Sequence, residues 1–213
     1  MKTTTKKLIG FALILSLLSA FPAFARGPSS EASRLQTQQS VTALSALSAL
    51  SAAEQNNLLF MREEEKLAHD VYIELYKTWN MNIFKNISSS EQQHMDVILK
   101  KINLFGLSDP SSSEIGSFTN QDLQDLYNEL IYQGSLSYNN ALTVGVTIED
   151  KDIFDLMNAI VTTKNLALQT TYQNLIEGSK NHLRAFVGLL KNQGIEYNPQ
   201  FISQELFDAI LGV

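Results

Sequence analysis

The stretch NIFKNISSSEQQHMDVILKKINLF, Asn82 to Phe105, decides the fold. It holds no proline or glycine, and Ile87, Glu91, His94, Ile98 and Ile102 recur at the three- and four-residue spacing of one helical face. Gly106 stops the helix, with Asp109-Pro110 beyond it. The stripe that ought to be buried therefore carries an acid and an imidazole. Read as a local signal, Ser88 and Glu91 form a capping box of a late-starting helix, but the run before them keeps helical phase without a breaker.

The same pattern recurs outward from this segment. Ser51 and Glu54 read as a capping box that opens a helix running through Trp79, with the stripe Phe60, Glu64, Leu67, Val71, Leu75. After the loop SDPSSSEIGSF, a short helix is expected across NQDLQDLYNELIYQ, stopped by Gly134. A third long helix is expected from Ser135 to about Thr162, striped by Ala141, Gly145, Glu149, Asp152 and Leu156. The fourth spans about Asn165 to Asn192, striped by Tyr172, Leu175, Ser179, His182, Phe186 and Leu189. A tail with Pro199 leads to a short amphipathic helix, SQELFDAIL. No segment alternates with a period of two, so the chain reads as all-α: a four-helix bundle over 51–213 with one extra short helix before the third long one and another at the C-terminus.

Each long helix interrupts its own apolar stripe with a metal-ligand residue type: Glu64, then Glu91 and His94, then Glu149 and Asp152, then His182. Residues three apart share a helical face, so Glu91 can converge with His94, and Glu149 with Asp152. Buried unpaired carboxylates cost several kcal/mol, on the order expected for uncompensated buried charge, and they repel one another. The candidate counter-charges Arg62, Lys66, Lys100, Lys101 and Arg184 fall off the stripes, on faces expected to be wet. Two divalent cations would balance four carboxylates among neutral imidazoles. With oxygen and nitrogen donors and no cysteine, iron is the first expectation, then manganese; zinc and copper also suit such ligands. Glu64 and His94 on one ion, Asp152 and His182 on the other, with Glu91 and Glu149 bridging, is the symmetric assignment. His69 points off its stripe and reads as a surface residue; Tyr172 reads as core rather than as a redox tyrosine. In the acidic run Glu63-Glu64-Glu65, which by itself suggests a solvated face, only Glu64 keeps phase with Leu67 and Val71.

The N-terminus has Lys2, Lys6 and Lys7, the apolar run LIGFALILSLLSAF, and AFA at Ala23–Ala25, the three-part pattern of a signal peptide over 1–25. Residues 26–50, rich in Ser, Ala and Gln and including most of the iteration ALSALSALSA, read as a linker or arm. The mature chain is then expected in a periplasm or secreted, with no membrane attachment after cleavage. Removing three of the 16 basic residues against 22 acidic ones takes the net charge from −6 to about −9, which speaks against nucleic acid and anionic membranes as partners. The absence of cysteine excludes disulfides and thiolate metal sites. An oligomer is left open.

The blocks FMREEEKLAHDVYIELYKTW, NISSSEQQHMDVI, YNELIYQGS, VGVTIEDKDIFDL and YQNLIEGSKNHLRAF together resemble the DUF2202 family of the ferritin-like, rubrerythrin-related superfamily. The resemblance covers about Ser51 to Leu190. It implies a Glu on the first helix, E-x-x-H on the second, a carboxylate on the third and E-x-x-H on the fourth, binding two irons or manganeses. Glu64, Glu91 with His94, and Glu149 fit the first three positions, and Asp152 resembles the added carboxylate of the rubrerythrin-like branch. The fourth helix departs, with Ser179 three before His182 where glutamate is expected. The implied chemistry is oxidation of ferrous iron by dioxygen, or reduction of peroxide by an external donor, since a chain without cysteine carries no rubredoxin module. The rival expectations are a non-catalytic metal-binding or storage protein and a purely structural bundle whose acids meet through protons and water.

Overall fold

The computed structural model describes residues 49–213 and, apart from them, Arg34. The expected signal peptide over 1–25 and nearly all of the expected arm over 26–50 lie outside the described residues. Leu50, the arm's last residue, is buried against the core.

Among the described residues 49–213 there are six helices and no strand: α1 (Ala52–Trp79), α2 (Asn82–Leu104), α3 (Gln121–Leu136), α4 (Tyr138–Thr162), α5 (Leu166–Asn192) and α6 (Gln204–Leu211). The fold is all-α, a helical bundle. Four long helices pair as α1 with α2 and α4 with α5, and the pairs close on each other through α1 with α4 and α2 with α5. The start of α1 meets the end of α4, where Asn57 Nδ2 donates to Thr162 Oγ1 at 2.8 Å, so these two helices are antiparallel. Short α3 packs across α1 and α4, and α6 packs on α5.

Local chemistry sets the boundaries. Ser51 caps α1, and both halves of the capping box are made: Ser51 N–H donates to Glu54 Oε2 at 2.8 Å, and Glu54 N–H donates to Ser51 Oγ at 3.3 Å. The other Glu54 oxygen accepts from Thr163 Oγ1 at 2.6 Å and Lys164 N–H at 3.0 Å, tying the start of α1 to the α4–α5 turn. Asn80 ends α1 in the left-handed region at φ 51°, a conformation asparagine tolerates better than most residues, and this permits the tight turn into α2. Gly134 does not end α3, which runs to Leu136; Ser137 then caps α4, so the third long helix begins two to three residues later than its sequence suggests. With a glycine there, Leu75 of α1 packs where a β-carbon would stand, 2.6 Å away.

The acidic run of α1 is not a wet face. Residues 62–68 are all buried, because α2, α3, α4 and the loop 107–120 surround this helix. Arg62 pairs with Asp109 at 3.0 Å, Glu63 accepts the Thr119 and Asn120 N–H groups at 2.6 and 3.0 Å, and Lys66 bonds Asp70 and the Glu114 carbonyl. These contacts clamp the loop to the bundle. Arg62 and Lys66 are thus interior ion pairs, against the wet faces expected for them, and His69 is half-buried with Nδ1 2.8 Å from Asp70 Oδ1 rather than free on the surface. Tyr72, Phe84 and Phe186 cluster in the core, with ring centroids 5.3–6.3 Å apart. Tyr172 is core, as expected.

Candidate metal centre

Directly beside this aromatic cluster, α1, α2, α4 and α5 turn polar groups inward. Glu65, Glu91, His94, Glu149, Asp152 and His182 are each at least nine-tenths buried. Glu91 is the hub. Its Oε2 lies 2.8 Å from His94 Nδ1, and its Oε1 lies 2.8 Å from His182 Nδ1. His94 Nδ1 also reaches Glu65 Oε2 at 3.1 Å, and His182 Nδ1 reaches Glu149 Oε2 at 3.4 Å. The two imidazoles stack with centroids 5.6 Å apart, both presenting Nδ1 to the carboxylates. Two groups of donors result: Glu65, Glu91 and His94, and Glu91, Glu149 and His182, with one donor atom from each member of a group lying within 4.8 Å of the others.

The surroundings hold these side chains in place. His182 Nε2 lies 2.9 Å from Ser90 Oγ, and Tyr72 OH donates to Glu149 Oε1 at 2.6 Å. A β-carbon on Gly178 would stand 2.5 Å from His94 Nε2, so the glycine makes room for that ring. Ser179, at the position where the resemblance implies glutamate, donates to Asp152 Oδ2 at 2.6 Å. Such outer partners fix ring tautomer and carboxylate orientation.

Electrostatics follow from burial opposed by pairing. Burial alone would raise Glu91, but the nearby His182 and His94 overcome it and hold its carboxyl at about 2. Burial would lower the imidazoles; instead Glu65 and Glu91 push His94 up to about 12, and Glu149 and Glu91 push His182 up to about 10. Burial raises Glu65 to about 7 against the charge of His94, and raises Glu149 despite His182. Asp152 is raised well above the carboxylate range by burial and by the charges of Glu65 and Glu64. Protons on imidazole and carboxyl groups thus occupy places that a cation could take.

Several polar atoms have no hydrogen-bond partner although they are buried: Glu65 Oε1, Glu91 Oε1, His182 Nδ1, Glu64 Oε2 and Asp152 Oδ1. Glu91 Oε1 and His182 Nδ1 are close to each other yet not aligned as donor and acceptor. Buried polar atoms without partners are uncommon in folded proteins; Arg62 Nη1 and Tyr172 OH also lack one, but these five are all carboxylate or imidazole atoms of metal-ligand type. The residues fit a divalent cation.

Of the residues expected from the sequence, the structure brings together Glu91, His94, Glu149 and His182. Glu64 lies outside both groups, with Oε1 accepting from Lys151 Nζ at 2.8 Å, and Asp152 lies beside them. Sequence periodicity passed over Glu65, which takes the place expected of Glu64, and also Tyr72 and Lys151. The signal for Glu65 was spacing: it precedes Ala68 and Tyr72 by three and seven residues, which is as good a helical phase as that of Glu64.

Residues 54–213 match the family described as uncharacterized protein domain DUF2202. The chain belongs to the DUF2202 family. The match includes every residue of both donor groups. The chain is 46% identical over 159 residues to the uncharacterized protein MJ0754 of Methanocaldococcus jannaschii, covering 74% of this chain and 86% of that protein. The crystal structure of hypothetical protein MJ0754 from Methanococcus jannaschii superposes with a TM-score of 0.76 at 45% identity, over 77% of this chain and 94% of that one. The bundle is therefore shared with a solved structure over 77% of this chain.

Proposed function

We propose that this DUF2202 protein is a ferritin-like protein holding a dinuclear centre of divalent metal, iron before manganese or zinc, with one ion in each donor group and Glu91 shared between them. What carries the reading is Glu91: a fully enclosed carboxylate with one oxygen turned to each of two imidazoles, one of those oxygens lacking a hydrogen bond. Glu65 and His94 would hold one ion, and Glu149 and His182 the other. A redox-active pair in this place would supply oxidation of ferrous iron with dioxygen, or reduction of peroxide with an external electron donor. The chain's own part is to orient Nδ1 of both rings through Gly178 and Ser90, to hold Glu149 through Tyr72, and to exclude bulk water with the apolar core around the centre. Binding would release imidazole and carboxyl protons to solvent, because each ligand must be deprotonated at the atom that meets the metal. The signal-peptide pattern over 1–25 supports a periplasmic or extracellular location for it.

The test is anaerobic loading of the purified protein with ferrous iron, followed by metal analysis and then oxygen uptake. One ion per donor group is expected, with Glu91→Ala losing both. Less than one ion per chain would reject the centre. Oxygen uptake no faster than that of a His94→Ala, His182→Ala double variant would reject the oxidase chemistry and leave a metal-holding protein.

A further inference from the structure

Glu64 and Asp152 are the polar residues the centre does not use, and both are 5% exposed with one oxygen lacking any partner. Both also line a small, partly open cleft between α1, α3 and α4, with a cavity volume of about 30 Å³. Its walls are apolar, formed by Leu67, Leu126, Leu130 and Phe201 among others. Asp152 feels the charge of Glu64 on the cleft side and of Glu65 and Glu149 in the centre. Asp152 therefore stands between the cleft, whose wall it helps form, and the charges of the centre.

We propose that Glu64 and Asp152 form a transit site through which a divalent cation reaches the dinuclear centre. The inference rests on the dinuclear reading and adds to it a route and two residues that serve uptake rather than residence. Glu64 Oε2 and Asp152 Oδ1 are the receiving atoms. Lys151 guards them: its ammonium bonds Glu64 Oε1 and, on the other side, Asp155. An arriving cation displaces Lys151 from Glu64, and the lysine keeps Asp155 as its partner, so the displacement leaves no buried ammonium unpaired. The apolar walls focus the field of the carboxylates toward the cleft, which concentrates cations there.

The experiment follows cobalt(II) uptake by the full chain through its visible absorption in a stopped-flow instrument, with final stoichiometry from equilibrium dialysis and elemental analysis. Glu64→Gln with Asp152→Asn tests the receiving oxygens. Leu126→Trp, which narrows the cleft without touching a carboxylate, tests the route, and circular dichroism checks that each variant is folded. Expected is uptake slowed by at least ~10-fold in both variants, the scale of electrostatic focusing, with the final stoichiometry of the wild type unchanged. Wild-type rates in either variant would overturn the route. A lower final stoichiometry in the carboxylate variant would overturn it differently, by making Glu64 or Asp152 a resident ligand. No cobalt in the wild type would instead remove the dinuclear reading itself.

Discussion

Replacing Gly178 by alanine sets helix propensity against the geometry of the centre. The new β-carbon would stand 2.5 Å from His94 Nε2 and 2.8 Å from Cε1, where ordinary contact begins near 3.4 Å. The imidazole must therefore retreat by roughly 1 Å, the gap between that contact and an unstrained one. Retreat lengthens the 2.8 and 3.1 Å approaches of Nδ1 to Glu91 and Glu65, loosening a buried ion pair. Overpacking costs ~1–3 kcal/mol and a weakened buried pair up to ~3 more, while alanine in a helix interior returns about 1. These terms together span about 0–5 kcal/mol, and the expectation is a loss of about 2 kcal/mol, a fall of roughly 4–8 °C in Tm for a domain of this size. Gly188, exposed on the same helix with nothing within 4 Å of its would-be β-carbon, is the control. Gly188→Ala should hold or raise Tm. Thermal melting of the metal-free protein measures both, and iron analysis should show Gly178→Ala losing the ion held with His94. A Gly178→Ala protein that melts no lower than wild type and binds the same metal would refute the packing argument.

Other outcomes follow from the same contacts. Tyr72→Phe removes a donor at 2.6 Å from buried Glu149, and should cost about 1–3 kcal/mol in urea unfolding, the penalty for an unsatisfied buried acceptor. Glu54, which burial would raise, is held at about 2 by Thr163, Ser51 and Lys164; a depressed carboxyl stabilises above its unfolded value near 4.5 and stops doing so as pH falls toward 2. Glu54→Gln should therefore destabilise by about 1–3 kcal/mol at pH 7, with the difference from wild type shrinking between pH 4.5 and 2. His94 and His182 are raised, so in the metal-free protein their pairing stabilises fully below pH 6.5 and is lost as pH climbs through about 10 to 12. Metal competes with those protons and with any on Glu65 and Glu149, so calorimetry at pH 7 in two buffers of different ionisation enthalpy should report at least two protons released as the centre fills, and affinity should rise with pH.

The second and fifth helices of the bundle could be read directly, because α2 and α5 each bury one face and expose the other, and periodicity reports such a stripe. Glu91, His94 and His182 stood out for that reason. α1 offers no such contrast: Arg62 through Ala68 are all buried, so every phase is a core phase. Three adjacent glutamates there face three different partners, Glu63 the loop amides, Glu64 Lys151 and Glu65 His94, and only long-range structure tells them apart. The loop 107–120, read as a plain connection, supplies the partners of Arg62, Glu63 and Lys66. Asp150 makes the same point: fully enclosed on α4, it accepts N–H groups from Gln200 and Ile202 at 2.6 and 2.9 Å, some fifty residues away in sequence.

Everything about function turns on Glu91 being shared by two cations. Anomalous diffraction from crystals loaded with iron, collected on both sides of the iron absorption edge, asks this directly. Two peaks flanking the Glu91 carboxylate are expected, one reached by Glu65 and His94 Nδ1, the other by Glu149 and His182 Nδ1. A loaded crystal with no iron peak in contact with Glu91, its oxygens still turned to the two imidazoles, would contradict the account.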